Sequence, residues 1–96
     1  MPMDILLEDK RDVILRIAAR HGAKNVRIFG SRVHGDAHPD SDLDLLVDIS
    51  PVHSPWFPAG LIIELEELLG CRVDVVTRDS LHWYIRDAVL EEAQLL

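Results

Sequence analysis

Gly30-Ser31-Arg32-Val33-His34-Gly35-Asp36-Ala37-His38-Pro39-Asp40-Ser41-Asp42-Leu43-Asp44 is the stretch whose reading decides the fold. Before it, Val26 to Phe29 is a short β-branched and aromatic run that reads as a strand and stops at Gly30. Ser31 to His34 has the makings of one helical turn that Gly35 closes. Pro39 disfavours helix at the residue before it, so His38 to Ser41 is loop. Residues 42 to 49 then form a second strand. Side chains alternate along a strand, so Asp42 and Asp44 share one face while Leu43, Leu45 and Val47 share the other. Two carboxylates side by side, near a Gly-Ser turn with backbone N–H groups, point to a metal-bound polyphosphate site.

Upstream, apolar residues at Leu6, Leu7, Val13, Ile14, Ile17 and Ala18 fall at helical spacing over residues 5 to 21. Gly22 is placed to end that helix as a left-handed cap, and Leu15 lies off its main stripe. Downstream, Pro51, Pro55 and Pro58 keep residues 50 to 58 irregular, as a lid or as a partner surface. Leu61, Ile62, Leu65, Leu68 and Leu69 mark a second amphipathic helix, with Glu64, Glu66 and Glu67 outward and Gly70 as its stop. Residues 71 to 77 read as a third strand, with Val73 and Val75 on one face and Asp74 on the other. Asp79 or Ser80 caps a last helix, whose expected buried stripe is Leu81, Ile85, Ala88 and Val89. The expected fold is α/β in the α+β sense: a small mixed sheet with helices on one face.

The chemistry follows from the three aspartates. If the second and third strands are close, Asp42, Asp44 and Asp74 converge. At ~4 Å and an effective dielectric of about 20, each like-charged pair costs roughly 4 kcal/mol, which raised pKa values or cations relieve. Hard oxygen donors suit Mg²⁺, which keeps several waters and takes substrate phosphates as further ligands. Two such ions would divide the work between the attacking oxygen and the triphosphate. Phosphoryl and nucleotidyl transfer need mainly that positioning, with no covalent nucleophile from the protein. Gly30 allows close backbone approach and Ser31 offers an N–H and a hydroxyl, so the terminal phosphates belong there and the transferred phosphate at the aspartates.

Each feature alone has an ordinary explanation. Most Gly-Ser pairs are turns, and Asp-x-Asp is usually a solvated strand face. His21, His53 and His82 read as surface or packing residues, and no histidine pair has zinc-site spacing. Trp56 and Phe57 read as loop anchors, and the Glu64, Glu66 and Glu67 group as a solvated helix face. The three coupled features together are far more specific than any one of them.

Composition sets the bounds. The 96 residues read as a single domain, residues 1 to 96, 48% hydrophobic but only 5% aromatic, so the core is aliphatic and no second substrate-binding domain fits. A net charge of −7 opposes general affinity for nucleic acid backbone. Five aspartates and no Lys or Arg fall between Asp36 and Asp48, which places the acid at the site. Cys71 is the single cysteine, so no internal disulfide forms. No basic leader and no membrane-length apolar run is present, and a cytoplasmic location is expected.

Gly30-Ser31, Gly35, Ser41-Asp42-Leu43-Asp44-Leu45-Leu46-Val47 and Arg72-Val73-Asp74-Val75-Val76 together resemble the DNA polymerase β-like nucleotidyltransferases, and most nearly their minimal members. Leu81-His82, Ile85-Arg86-Asp87 and Leu90-Glu91-Glu92-Ala93 extend the likeness over nearly the whole chain. The resemblance implies a polymerase β-like palm core and a Mg²⁺-binding catalytic triad of Asp42, Asp44 and Asp74. It also implies nucleotide contacts at Gly30, Ser31 and Ser41, with ATP as substrate. Many relatives read Gly-Ser-x-Ala-Arg-Gly, where this chain has Val33-His34 in the middle. Minimal nucleotidyltransferases resemble the antitoxin half of HEPN/MNT toxin–antitoxin pairs. The implied activity is AMP transfer from ATP to a tyrosine of the HEPN ribonuclease toxin, within a hetero-oligomer of the two. The alternatives are an antitoxin that neutralises by contact alone, and a nucleotidyltransferase acting on a small molecule.

Overall fold

The structure, a computed structural model, describes residues 5–30, 33 and 42–96. In chain order the elements are α1 (Ile5–His21), β1 (Ala23–Phe29), β2 (Leu43–Ile49), α2 (Ala59–Leu69), β3 (Val73–Val76), α3 (Trp83–Glu92) and β4 (Gln94–Leu95). The sheet runs β3-β2-β1-β4. β1 is antiparallel to both β2 and β4, whereas β2 and β3 are parallel. A parallel neighbour needs a crossover, and α2 supplies it.

β2 is central because its sequence is apolar on alternate positions and more. Leu43, Leu45 and Val47 are fully buried and join Ile14, Ile17 and Ala18 of α1, Leu61 and Leu65 of α2, and Val73 and Val75 of β3 in one core. The expected layer of helices over one face is therefore formed by α1 and α2. The third helix lies elsewhere. Leu46, also fully buried, points the other way and packs with Leu81 and Val89, joined by Phe29, Val76, Leu90 and Ala93. β2 is thus covered on both faces at its middle, which is why its apolar run is unbroken from Leu45 to Val47.

Several boundaries follow local rules. Gly22, at φ 91°, ends α1 as expected, and a Cβ there would collide with His53. Gly70, at φ 69°, ends α2 by donating its N–H to Glu66 C=O at 2.9 Å. Leu15 packs against the core and is not exposed, while Val13 is exposed. The side chains of Leu6 and Leu7 lie outside the described residues, as does the turn expected over Ser31, Arg32 and His34. Val33 is described: it is buried, and its N–H reaches back to Gly30 C=O at 3.1 Å.

Two expectations at the C-terminal end are corrected. Ile85 and Ala88 are exposed, and the buried residues are Leu81 and Val89. The reason is that α3 starts only at Trp83, capped by the His82 ring, which accepts the Tyr84 N–H at 3.1 Å. Asp79 and Ser80 belong to a preceding turn in which Ser80 and Thr77 exchange bonds. β4 adds a fourth strand, with Leu95 opposite Arg27 and Gln94 opposite Ile28.

The proline-rich segment is strapped to the end of α1. Ser50 donates to Gly22 C=O at 2.7 Å and Ser54 to His21 C=O at 3.1 Å. Phe57 packs on the core as an anchor, but Trp56 is 79% exposed and anchors nothing. The segment leaves β2 after Ile49, the far end from Asp42 and Asp44. The seven residues of β2, roughly 20 Å, separate that end from the aspartates. Among the described residues no helix is long and apolar enough to cross a membrane.

Candidate active site

The site stands where β2 and β3 begin side by side. Leu43 N–H donates to Arg72 C=O at 2.8 Å, and the parallel register then sets Asp44 opposite Asp74. Because cross-strand partners share a face, both carboxylates stand on the face that Leu43, Leu45, Val73 and Val75 leave. Asp42 precedes β2 by one residue. All three aspartates line one open cleft of about 310 Å³, together with Glu66, Arg72 and Val73. Asp42 and Asp74 are exposed, and Asp44 is half-buried.

Gly30 closes the other side of Asp44. Phe29 is opposite Asp44 in the antiparallel pair, so the residue that follows it meets the carboxylate. At φ 79° Gly30 has a backbone that side chains seldom adopt, and a Cβ there would stand 2.5 Å from Asp44 Oδ2. Its own N–H donates to Glu92 Oε1 at 2.8 Å. On the opposite flank, Glu66 Oε2 accepts the Val73 N–H at 3.0 Å. Two glutamates from two helices therefore hold the backbone beside Asp44 and beside Asp74.

The electrostatics have one sign. Burial pushes the Asp44 carboxyl above its ordinary range, and the charges of Asp74, Asp42 and Glu92 push it further. Such a concentration of negative charge is relieved by binding cations. Among the described residues no three His, Cys, Asp or Glu side chains close into a complete metal-binding group. The donor set nevertheless fits Mg²⁺: it is all oxygen, spread around an open cleft that leaves room for water and phosphate ligands.

A second and larger cleft, about 440 Å³, opens at the far ends of β2 and β3 between Val47, Asp48, Ile49, Thr77, Arg78 and Asp79. Of its two carboxylates, Asp48 is already paired. Asn25 donates to Asp48 Oδ2 at 2.8 Å and Arg27 to Oδ1 at 2.9 Å. Both bonds, the Asn25 bond first, hold the Asp48 carboxyl below its ordinary range. The register of β1 shifts between Lys24 and Arg27, where Asn25 takes φ 52°, and that bulge aims both donors at Asp48.

The structure brings Asp42, Asp44, Asp74 and Gly30 together; Ser31 and Ser41 lie outside the described residues, as do His34 and His38. Glu66, Arg72 and Glu92 were not anticipated at the site. The solvated glutamate face is corrected in two of its three members. Glu64 pairs with His21, whose Nε2 is 2.9 Å away, and with Arg20, while Glu66 is drawn to the Val73 amide. Only Glu67 is exposed. Helical spacing does mark Glu66 as a residue apart from the Leu65 and Leu69 stripe, but nothing local says that a β-strand amide lies beside it.

Residues 10–96 match the model of the nucleotidyltransferase domain. The chain belongs to that family. It is 44% identical over 73 residues to the protein adenylyltransferase MntA of Thermococcus cleftensis, covering 76% of this chain and 74% of MntA. A solved candidate minimal nucleotidyltransferase superposes with a TM-score of 0.80 at 46% identity, covering 94% of this chain and 92% of that one. A toxin–antitoxin complex solved with AMP-PNP contains a chain of the same fold, at TM-score 0.72 and 21% identity, covering 88% of this chain and 69% of that one. The enzyme class is accordingly nucleotidyltransferase, and the minimal palm-like fold expected from the sequence is the one found.

Proposed function

We propose that this chain transfers AMP from ATP to a tyrosine hydroxyl of a HEPN ribonuclease toxin, acting as the antitoxin of the pair in the cytoplasm. The observation that carries the reading is the single cleft at which Asp42, Asp44 and Asp74 meet, with Asp44 held above its ordinary range by burial and by the neighbouring carboxylates. The adenylyltransferase name of the MntA relative and the toxin–antitoxin assembly solved with AMP-PNP support it.

Asp42, Asp44 and Asp74 would hold Mg²⁺, two ions being the count the three carboxylates suit. When bound, the ions neutralise the triphosphate and make the acceptor oxygen a better nucleophile. The chain's own residues do the positioning. Gly30, with no Cβ, leaves Asp44 free to face the cleft, and Ser31 and Ser41 are assigned to the nucleotide. Arg72, on the cleft wall, is placed to accept phosphate charge. The tyrosine oxygen bonds to the α-phosphorus as the bond to pyrophosphate breaks, and the tyrosine proton is lost to solvent. The site provides for ATP; the acceptor hydroxyl comes with the partner.

The test is transfer of label from ATP carrying it on the α-phosphate. Wild-type chain and toxin should yield labelled toxin, and D42N/D44N should not. No label with wild type, or equal label with the double variant, overturns the reading. A second reading, neutralisation by contact, draws on the exposed run Trp83, Tyr84 and Ile85 and on exposed Trp56. It expects D42N/D44N to silence the toxin at the same stoichiometry as wild type.

A further inference from the structure

The C-terminal segment reaches the site through one side chain. β4 lies along β1, Leu96 N–H donates to Val26 C=O at 2.9 Å, and the Leu96 carbonyl accepts Arg11 Nε–H at 2.8 Å. This pairing brings the last residue of α3, Glu92, to the end of β1. There its Oε1 accepts the Gly30 N–H at 2.8 Å, and its charge is among those acting on Asp44.

We propose that Glu92 is a positioning residue, whose carboxylate fixes the Gly30 turn against Asp44 and so sets the direction in which Asp44 presents its oxygens. The proposal rests on the nucleotidyl-transfer reading above. The Gly30 backbone runs close beside Asp44: a Cβ added there would fall 2.5 Å from Asp44 Oδ2, so where the turn sits bears on the space open to that oxygen. Packing alone would not hold it, because Gly30 has no side chain to bury. Its carbonyl accepts the Val33 N–H, and the acceptor for its amide is the Glu92 side chain, where an ionised oxygen makes the stronger bond. Partners that orient a ligating carboxylate typically matter by about 10- to 100-fold in metal affinity or activity.

The test compares E92A, which removes the acceptor, with E92Q, which keeps an oxygen in its place without the charge. Three readouts apply to each: exchange of the Gly30 amide by NMR, Mn²⁺ affinity without nucleotide, and kcat and KM for ATP with the partner present. E92A should expose the Gly30 amide to exchange, weaken Mn²⁺ about tenfold and lower kcat about 10- to 100-fold with KM within about threefold. E92Q should keep the amide protected and hold both Mn²⁺ affinity and kcat within about threefold of wild type. An E92A variant with wild-type Mn²⁺ affinity and kcat overturns the proposal. So does an E92Q variant that keeps the amide protected yet loses as much as E92A. If E92A does not fold, E92D, with its shorter reach, replaces it under the same criteria. A wild-type chain that transfers no AMP defeats the reaction proposed above, whereas the amide and Mn²⁺ results still decide the role of Glu92.

Discussion

Asp44 and Asp48 stand on the same face of the same strand, four residues apart, and the fold treats them in opposite ways. Asp44 is half-buried among Asp74, Asp42 and Glu92, and its carboxyl is driven up. Asp48 takes hydrogen bonds from Asn25 and Arg27, and its carboxyl is driven down. The difference is made by burial and by what β1, β3 and α3 place beside each. A bulge in β1 aims two donors at one; the tight Gly30 turn and the Asp74 register leave the other with negative neighbours. Only the second has an unmet need for a cation, although it faces the smaller of the two clefts.

The comparison is broken most severely by exchanging charge for amide at both positions. D42N/D44N should lower AMP transfer by at least about a thousandfold, since several kcal/mol of charge stabilisation is lost with the ions. D48N should leave turnover within about twofold, and rates measured at saturating ATP would separate the two. If D48N were as inactive as the double variant, the assignment of the site to the β2–β3 start would fail.

G30A should come next. A side chain at φ 79° costs about 1–2 kcal/mol, and its Cβ must also displace the Asp44 carboxylate. Chemical denaturation should show that loss, and Mn²⁺ affinity should fall with it. An active G30A of full stability would mean that the turn does not press on Asp44.

The pH dependence of stability gives opposite signs. For Asp44 the folded value lies above the unfolded one, so its contribution is fully present below the unfolded value and is lost as pH rises through the folded one. In metal-free buffer D44N should therefore have a higher Tm than wild type at pH 7, with the gain shrinking toward pH 3. For Asp48 the folded value is lower, so its contribution is present above the unfolded value and is lost as pH falls through the folded one. D48N should lower Tm at pH 7, with the deficit closing in acid.

The smallest effect concerns the Arg27–Asp48 pair itself. Partly exposed pairs contribute about 0–1 kcal/mol, so D48N should cost no more than about that at pH 7. A double-mutant cycle with R27M reads the coupling. A coupling well above this range would show that Arg27, only 18% exposed at its side chain, depends on Asp48 for its place in the fold.

Much of this was legible in the chain because local physics decides it. Alternation in Leu43-Asp44-Leu45 separates core from site, and Gly22 and Gly70 end the helices they were expected to end. Asp44 and Asp74 stood out because each interrupts an apolar strand, and Asp42 because it lies two residues before Asp44 at the start of β2. What was not legible depends on neighbours distant in sequence. Leu81, just before α3, and Val89 within it are hidden and Ile85 is left out, because Leu46 sits where those two can reach it. Trp56 is exposed because Phe57 takes the contact with the core. Two residues of β4 are too few to show any period.

The sequence by itself determined β1, β2 and β3, the glycine ends of α1 and α2, and the alternation that sets Asp44 and Asp74 apart from the core, since periodicity and backbone freedom are properties of neighbouring residues. Only the tertiary structure decided which aspartates share a cleft, that Asp48 is already paired, and that Glu66 and Glu92 hold the backbone around the other three. Those outcomes depend on register and on a β1 bulge. A hydrogen bond between Glu92 and Gly30, 62 residues apart, exists only once the sheet has formed.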